Sequence, residues 1–259
     1  ARPRGFTLIE LLVVVGLIAL LLAILLPSLQ LARSHGQAVV CLSHLKQWGT
    51  TFALYTQENE GRLPIGIAQG VWLVRGVRQG DSNEPRVGRS IHTEGIACCP
   101  MATRVDEQAG CSWLAGGGYS TITVTVGGTL SAWEITDPGP PFRGSYGLNS
   151  GLFNRFPIGF KPAGSSLTIG LDVLSVKGSS GIPAVLDSVR PNISASEDMD
   201  PSPDGFERSR GMDPCMKRHG TYVNGLFLDW SAQRIDLKEL WVLPWYPRFD
   251  TAGRWTRAG

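Results

Sequence analysis

The chain has 259 residues, enough for one globular domain plus a long terminal element, or at most two small domains. Its formal net charge is +2 and no dense Lys/Arg stripe runs along it, so a nucleic-acid partner has little support. With 32 glycines and 17 prolines it favours strands, turns and long loops outside any helical region.

The first strong signal is N-terminal. Arg2 and Arg4 precede Gly5, then Phe6-Thr7-Leu8-Ile9-Glu10, and an apolar run extends from Leu11 to Leu26. Taken as helix, Phe6 to Leu26 spans about 30 Å, enough to cross a bilayer core. The basic residues place that end in the cytoplasm and the remainder of the chain outside. A cleaved secretory signal would have a shorter apolar core and a small-residue cut site, and no such site follows Pro27. A plain signal anchor accounts for length and charge but leaves Glu10 unexplained. A carboxylate in a membrane helix costs several kcal/mol unless it finds a partner, so Glu10 is a functional candidate.

Pro27 removes one backbone donor and is expected to kink the helix rather than end it. Beyond it, Cys41, Leu45, Trp48, Phe52 and Tyr55 recur at spacings of four and three, one apolar face of a continuing helix. Gly61, followed by Leu63-Pro64, supplies the stop. A helix from Phe6 to Glu60 would be roughly 80 Å long, apolar all round in its first half and amphipathic in its second.

From Leu63 onward the signals are strands and turns. Val71 to Val74, Tyr119 to Val126, Leu167 to Val173 and Gly225 to Asp229 read as strands, separated by Pro and Gly clusters such as Asp137 to Pro141. The predicted fold is α+β: a long N-terminal helix, its first half membrane-spanning, packed on an antiparallel sheet head with long loops.

Several groups could carry chemistry. The five cysteines, Cys41, Cys98, Cys99, Cys111 and Cys215, suit an exported chain with one or two disulfides. Adjacent Cys98 and Cys99 are poorly placed to pair with each other. Cys41 with Cys99 is the first expectation and Cys111 with Cys98 or Cys215 the second, the connectivity staying open. His219 and Asp229 could form a metal or acid–base pair. The simpler reading has Asp229 opening the turn into Ser231-Ala232 and His219 capping the preceding loop. In the acidic loop 197–205, alternate oxygens at Asp198, Asp200, Ser202 and Asp204 suit calcium. The glycine is misplaced for an EF-hand and no bidentate Glu follows, so a solvated loop is the simpler reading. The aromatic stretch Leu240 to Pro247 could plug the head or form a subunit contact. No Ser-His-Asp order, phosphate loop, zinc spacing or paired catalytic carboxylates stands out, so an enzyme is not expected.

Gly5-Phe6-Thr7-Leu8-Ile9-Glu10-Leu11 resembles the prepilin processing motif of type IV pilins and type II secretion pseudopilins. Cys41 to Gln47, Tyr55, the turn Asn59 to Pro64, Cys99-Pro100 and Ser145 to Asn149 are similar to a prepilin-like family abundant in planctomycete-type bacteria. So is the spacing of His219 and Asp229, although Trp230 stands where that family's signature has Gly. The resemblance implies a pilin fold, a prepilin peptidase that cuts after Gly5 and methylates Phe6, and a Glu10 carboxylate that pairs with the N-terminal amine of a neighbouring subunit. Pro27 sits where pilins commonly carry a helix-kinking proline. Residues 1–5 then read as a leader remnant, 6–61 as the transmembrane and assembly helix, and 62–259 as the head. The implied partners are the peptidase, the inner-membrane assembly machinery and further copies of the chain in a helical filament. The implied location is the bacterial inner membrane, then a periplasmic pseudopilus or an extracellular filament. The alternative is a minor pseudopilin or membrane-anchored binding protein that recognises a substrate or surface. No cofactor is required by this reading; related major pseudopilins use calcium to order a head loop, which keeps calcium open for Asp198, Asp200 and Asp204.

Overall fold

The protein is described by a computed structural model that covers residues 7–63, 95–106, 112–114, 123–137, 141–153, 172–193, 195 and 217–253. The expected strand at Val71 to Val74 lies outside the described residues.

Helix α1 runs Leu8–Glu58, 51 residues, or about 77 Å at 1.5 Å per residue. It begins with a capping box. The Glu10 backbone N–H donates to Thr7 Oγ1 at 3.2 Å, and the Thr7 backbone N–H donates to Glu10 Oε2 at 2.9 Å. The helix continues through Pro27, whose missing N–H leaves the Ala23 carbonyl without its usual helical partner. Asn59 caps the far end, and Glu60 and Gly61 turn left-handed at φ 54° and 77°. The Gly61 N–H donates to the Thr56 carbonyl at 2.7 Å. A Cβ on Gly61 would lie 2.5 Å from Asp172 Oδ1, so glycine is required there by space as well as by backbone.

Among the described residues the head holds two sheets. In the first, β1 (Ser112–Leu114), β2 (Thr123–Thr125), β3 (Trp133–Asp137) and β4 (Phe142–Gly144) lie in chain order, each antiparallel to the next. The second contains β5 (Tyr146–Asn149), β6 (Pro183–Asp187), β7 (Asn192–Ile193), β8 (Tyr222–Phe227) and β9 (Ala232–Asp236), in the order β7-β5-β6-β8-β9. Its pairs are antiparallel except β5 with β7. The head is thus antiparallel, as expected, apart from that one short parallel pair. Strand β6 already has β5 on one edge and β8 on the other. The chain turns after β6 and reverses, so β7 runs in the direction of β5 and pairs with its outer edge in parallel. A short helix α2 (Ser150–Phe153) follows β5.

The expected strand over Tyr119 to Val126 is realised at β2, and that over Gly225 to Asp229 overlaps β8. The expected strand ending at Val173 is a 3₁₀ turn, Val173–Ser175, in its described part. Asp172 Oδ1 accepts the Leu174 N–H at 3.0 Å and ends the extended conformation.

The second half of α1 lies on β8 and β9. Cys41, Leu45, Trp48, Phe52 and Tyr55 are all buried, as their spacing predicts, and Ala38 extends the stripe. Gly49 lets the helix approach, because a Cβ there would sit 2.9 Å from Leu226 Cδ1 and 3.1 Å from the Trp230 carbonyl. Between β8 and β9 the Trp230 N–H donates to the Phe227 carbonyl at 2.9 Å, and Phe227 N–H to the Ser231 carbonyl at 2.8 Å. This is a three-residue hairpin loop whose last residue is left-handed, a place that favours glycine. Trp230 occupies it at φ 65°, so the tight turn forms without glycine. The offsetting contact is the stacking of Trp230 on Phe52, with ring centroids 5.8 Å apart and 15° between planes. The Lys46 ammonium donates to the Trp230 carbonyl at 2.9 Å and holds the turn against the helix.

Phe52 also touches Phe153 of α2, at 5.3 Å between centroids, so one side chain joins helix, hairpin and α2. Phe52→Ala should destabilise the head by about 3–5 kcal/mol, read as a lower midpoint in chemical denaturation. An unchanged midpoint would contradict this packing.

Candidate functional site

From Leu8 to Leu31 the large apolar side chains of α1 are exposed, Leu8 at 85% and Leu21 at 66%. No part of the most apolar window is covered by the head, and the helix is long and apolar enough to cross a membrane. A soluble surface does not carry so large an uncovered apolar area without a partner. Glu10 sits at the head of this stretch and is itself exposed. Its Oε2 accepts from the Thr7 hydroxyl as well as from the Thr7 N–H, both at 2.9 Å. The carboxylate therefore has a local partner, which the sequence analysis did not foresee. Both of these bonds fall on Oε2, which leaves Oε1 without a hydrogen bond among the described residues. Gly5 and Phe6 lie outside the described residues.

A second constellation is buried under the helix. Cys41 of α1, Cys99 of the segment 95–106, Asp187 at the end of β6 and His219 in the 3₁₀ turn Lys217–His219 bring their side-chain donor atoms within 4.8 Å of one another. Cys41 Sγ is 3.7 and 3.9 Å from the two Asp187 oxygens. Cys99 Sγ is 3.5 Å from His219 Nε2, and that nitrogen is 3.2 Å from Asp187 Oδ2. The Asp187 and His219 side chains are fully buried.

Arg218, also fully buried, donates through Nη1 to Asp187 Oδ1 at 2.8 Å and to the Ser145 carbonyl at 2.8 Å. Its Nε donates to the Thr129 carbonyl at 2.8 Å. The Asn224 backbone N–H donates to Asp187 Oδ2 at 2.9 Å, and the Tyr146 hydroxyl to Cys41 Sγ at 3.2 Å. Burial pushes Asp187 up, but the hydrogen bond from His219 and the charges of Arg218 and His219 outweigh it and hold the carboxyl below the usual range. Burial pushes His219 down, yet Asp187 and Cys41 reverse this and raise it to about 9. Burial, the hydrogen bond with Cys99 and the Asp187 charge push the Cys41 thiol up.

Cys41, Cys98 and Cys99 are free thiols in this structure, so the expected Cys41–Cys99 staple is not formed. The two residues do come close in space. They meet as part of a larger polar cluster rather than as a disulfide; Cys98 is not one of its members, and burial raises its thiol to about 11. His219 is not a loop cap and does not meet Asp229; its partner is Asp187. Asp229 does open the turn as expected, its Oδ1 accepting the Ser231 N–H at 2.9 Å and hydroxyl at 2.7 Å. Cys111, Cys215 and the calcium candidates Asp198, Asp200 and Asp204 lie outside the described residues. In the aromatic stretch Leu240, Leu243, Trp245 and Tyr246 are core, whereas Val242 is exposed and Trp241 half-buried. Asp187 and Arg218 were missed. The available signals were an acid closing the apolar strand Pro183-Ala184-Val185-Leu186 and a cation next to His219.

Comparison with known proteins bears on the N-terminal site alone. Residues 1–26 match the prokaryotic N-terminal methylation motif, so the chain carries the type IV pilin-like prepilin signal. A long apolar N-terminal helix followed by sheets is the α+β arrangement of a pilin fold. No curated protein and no solved structure matches the chain. The motif supports a type IV pilin-like or pseudopilin-type protein and implies processing by prepilin peptidase.

Asp187→Ala would leave the Arg218 guanidinium buried beside an uncompensated space. Removing one partner of such a pair costs about 3–5 kcal/mol, so the variant should show a large loss of stability in urea denaturation. A midpoint like that of the parent would show that the pair carries no such weight.

Proposed function

We propose that this chain is a structural subunit of a type IV pilus-like or type II secretion pseudopilus filament, held in the inner membrane by α1 and polymerised through it. One observation carries this reading: the same helix is wholly uncovered from Leu8 to Leu31 and buried along one stripe from Ala38 to Tyr55. The covered stripe belongs to its own head. The uncovered part needs another apolar environment, first lipid and then the equivalent helices of neighbouring copies. Burying each Leu or Ile there contributes about 1.5–3 kcal/mol relative to water, so a pool of exposed helices in solution is strongly disfavoured. In lipid that term is already satisfied, and close helix packing and polar contacts must decide assembly.

Glu10 supplies the polar contact. After cleavage following Gly5, the amine of Phe6 in one copy would meet Oε1 of Glu10 in the next, the oxygen that Thr7 leaves unused. The capping box with Thr7 fixes the rotamer of Glu10 before that amine arrives, which lowers the ordering cost of the contact. Pro27 leaves a weak point in the α1 ladder within the part that would be packed among neighbours.

Two substitutions separate capping from pairing. Gln can complete a capping box with Thr7 but carries no charge. Glu10→Gln and Glu10→Ala should therefore both leave the head folded and both abolish filaments seen by electron microscopy. Normal filaments from Glu10→Gln would reduce Glu10 to a helix cap. Mass spectrometry of the mature chain should find an N-methylated Phe6 at its start; an uncut chain in assembled filaments would remove the amine from the scheme.

A further inference from the structure

We propose that Cys41, Cys99, Asp187 and His219 form a structural zinc(II) site, binding the ion through the two Sγ atoms, one Asp187 carboxylate oxygen and His219 Nε2. The four residues come from four separate parts of the fold, namely α1, the segment before β1, the end of β6 and the turn before β8. Their side chains converge on one point between the helix and the second sheet.

The spacing suits tetrahedral coordination. Zinc bonds are about 2.3 Å to sulfur and about 2.0–2.2 Å to nitrogen or oxygen, and a tetrahedron's edge is about 1.6 times its bond length, which gives donor separations of about 3.3–3.8 Å. The observed separations are 3.5 Å for Cys99 Sγ to His219 Nε2, 3.2 Å for His219 Nε2 to Asp187 Oδ2, and 3.7 and 3.9 Å for Cys41 Sγ to the Asp187 oxygens. Small side-chain movements would therefore complete the sphere.

The donor set selects the metal class. Two sulfurs and an imidazole are soft and borderline ligands, which suit zinc and not the hard cations calcium or magnesium. Four protein ligands leave no position open for water or substrate, so the ion would hold the structure together rather than catalyse.

The charge balance is also favourable. Binding releases three protons, one from each thiol and one from the His219 imidazolium, in exchange for one dication, so the buried cluster together with Arg218 passes from one net positive charge to neutrality. Three anionic ligands around zinc leave one negative charge, and the fully buried Arg218 guanidinium matches it through Asp187 Oδ1.

An outer ring already orients the ligands. Arg218 and the Asn224 N–H fix the two Asp187 oxygens, the Tyr146 hydroxyl points to Cys41 Sγ, and the Ser145 hydroxyl accepts the Cys99 N–H. The His219 ring is stacked on Tyr222, 5.6 Å between centroids, and its Nδ1 has no hydrogen-bond partner among the described residues. Nε2, the nitrogen aimed into the cluster, is thus the ring's working atom. A Cys41–Cys99 disulfide would use the two sulfurs alone and leave the aimed imidazole unexplained.

The test uses the full chain, purified in detergent under reducing conditions from cells grown with zinc. Elemental analysis should find one zinc per chain, and a chelator should remove it and lower Tm. Exchange with cobalt(II) should give thiolate-to-metal charge-transfer absorption and the visible bands of a tetrahedral centre. Cys99→Ser should lose most of the charge-transfer intensity and His219→Ala should bind cobalt more weakly. If either variant fails to fold, the cobalt spectrum of the unaltered chain decides alone. Metal-free protein with no cobalt bands would overturn the proposal. So would a Cys41–Cys99 disulfide mapped in chain isolated without reductant from its native compartment, or retention of calcium in place of zinc.

Discussion

Along its second half, α1 lays an apolar stripe from Ala38 to Tyr55 onto β8 and β9, and the head's core is built around that seam. The seam takes two constraints to form. Gly49 must be small, so that the helix can come close to Leu226 and the Trp230 carbonyl. The stripe must also alternate spacings of three and four, so that every knob faces the sheet. Remove the helix, and Leu226 and Phe153 would lose the Gly49 and Phe52 surface that covers them. The head is thus not a separate body hung on an anchor; the anchor's own continuation is part of its core.

Apolar packing alone would let a helix rotate or slide over a sheet. Polar contacts fix its position. The Trp48 indole N–H donates to the Ile96 carbonyl at 3.0 Å, and Asn224 Nδ2 to the Ala38 carbonyl at 3.2 Å. Lys46 reaches the Trp230 carbonyl, and the Tyr146 hydroxyl lies beside both the carbonyl and the sulfur of Cys41. At the centre of this ring is the Asp187–Arg218 pair. A buried pair of this kind contributes less to net stability than to choosing one arrangement over its neighbours. A metal held by Cys41, Cys99, Asp187 and His219 would serve the same end, tying α1 to the sheet at one point.

The first half of α1 obeys a different solvent. It has no polar face and no covering element among the described residues, and its one ionisable group from Leu8 to Leu31, Glu10, is held by Thr7 at the helix start. The break between the two regimes falls after Leu31, where exposure gives way to the buried stripe at Ala38.

Much of this was determined by the sequence itself, because the signals are local. The membrane-length run, the acid at its head, the three–four stripe and the Gly61 stop each depend on residues within a few turns of one another. Periodicity and capping are set by helix geometry before any tertiary contact forms. The turn at Asp229 was legible for the same reason, since Asp229 and Ser231 are neighbours. The buried cluster was not. Cys41 and Asp187 are separated by 146 positions, and Cys99 and His219 by 120, so no spacing rule joins them. Sequence could suggest the Cys41–Cys99 pair but not the carboxylate, the imidazole and the guanidinium around it. Only the crossing of α1 over the end of β6 and the turn before β8 brings them together. The parallel join of β7 to β5 is likewise a tertiary matter, since the edge that β7 pairs with exists only once the sheet is built.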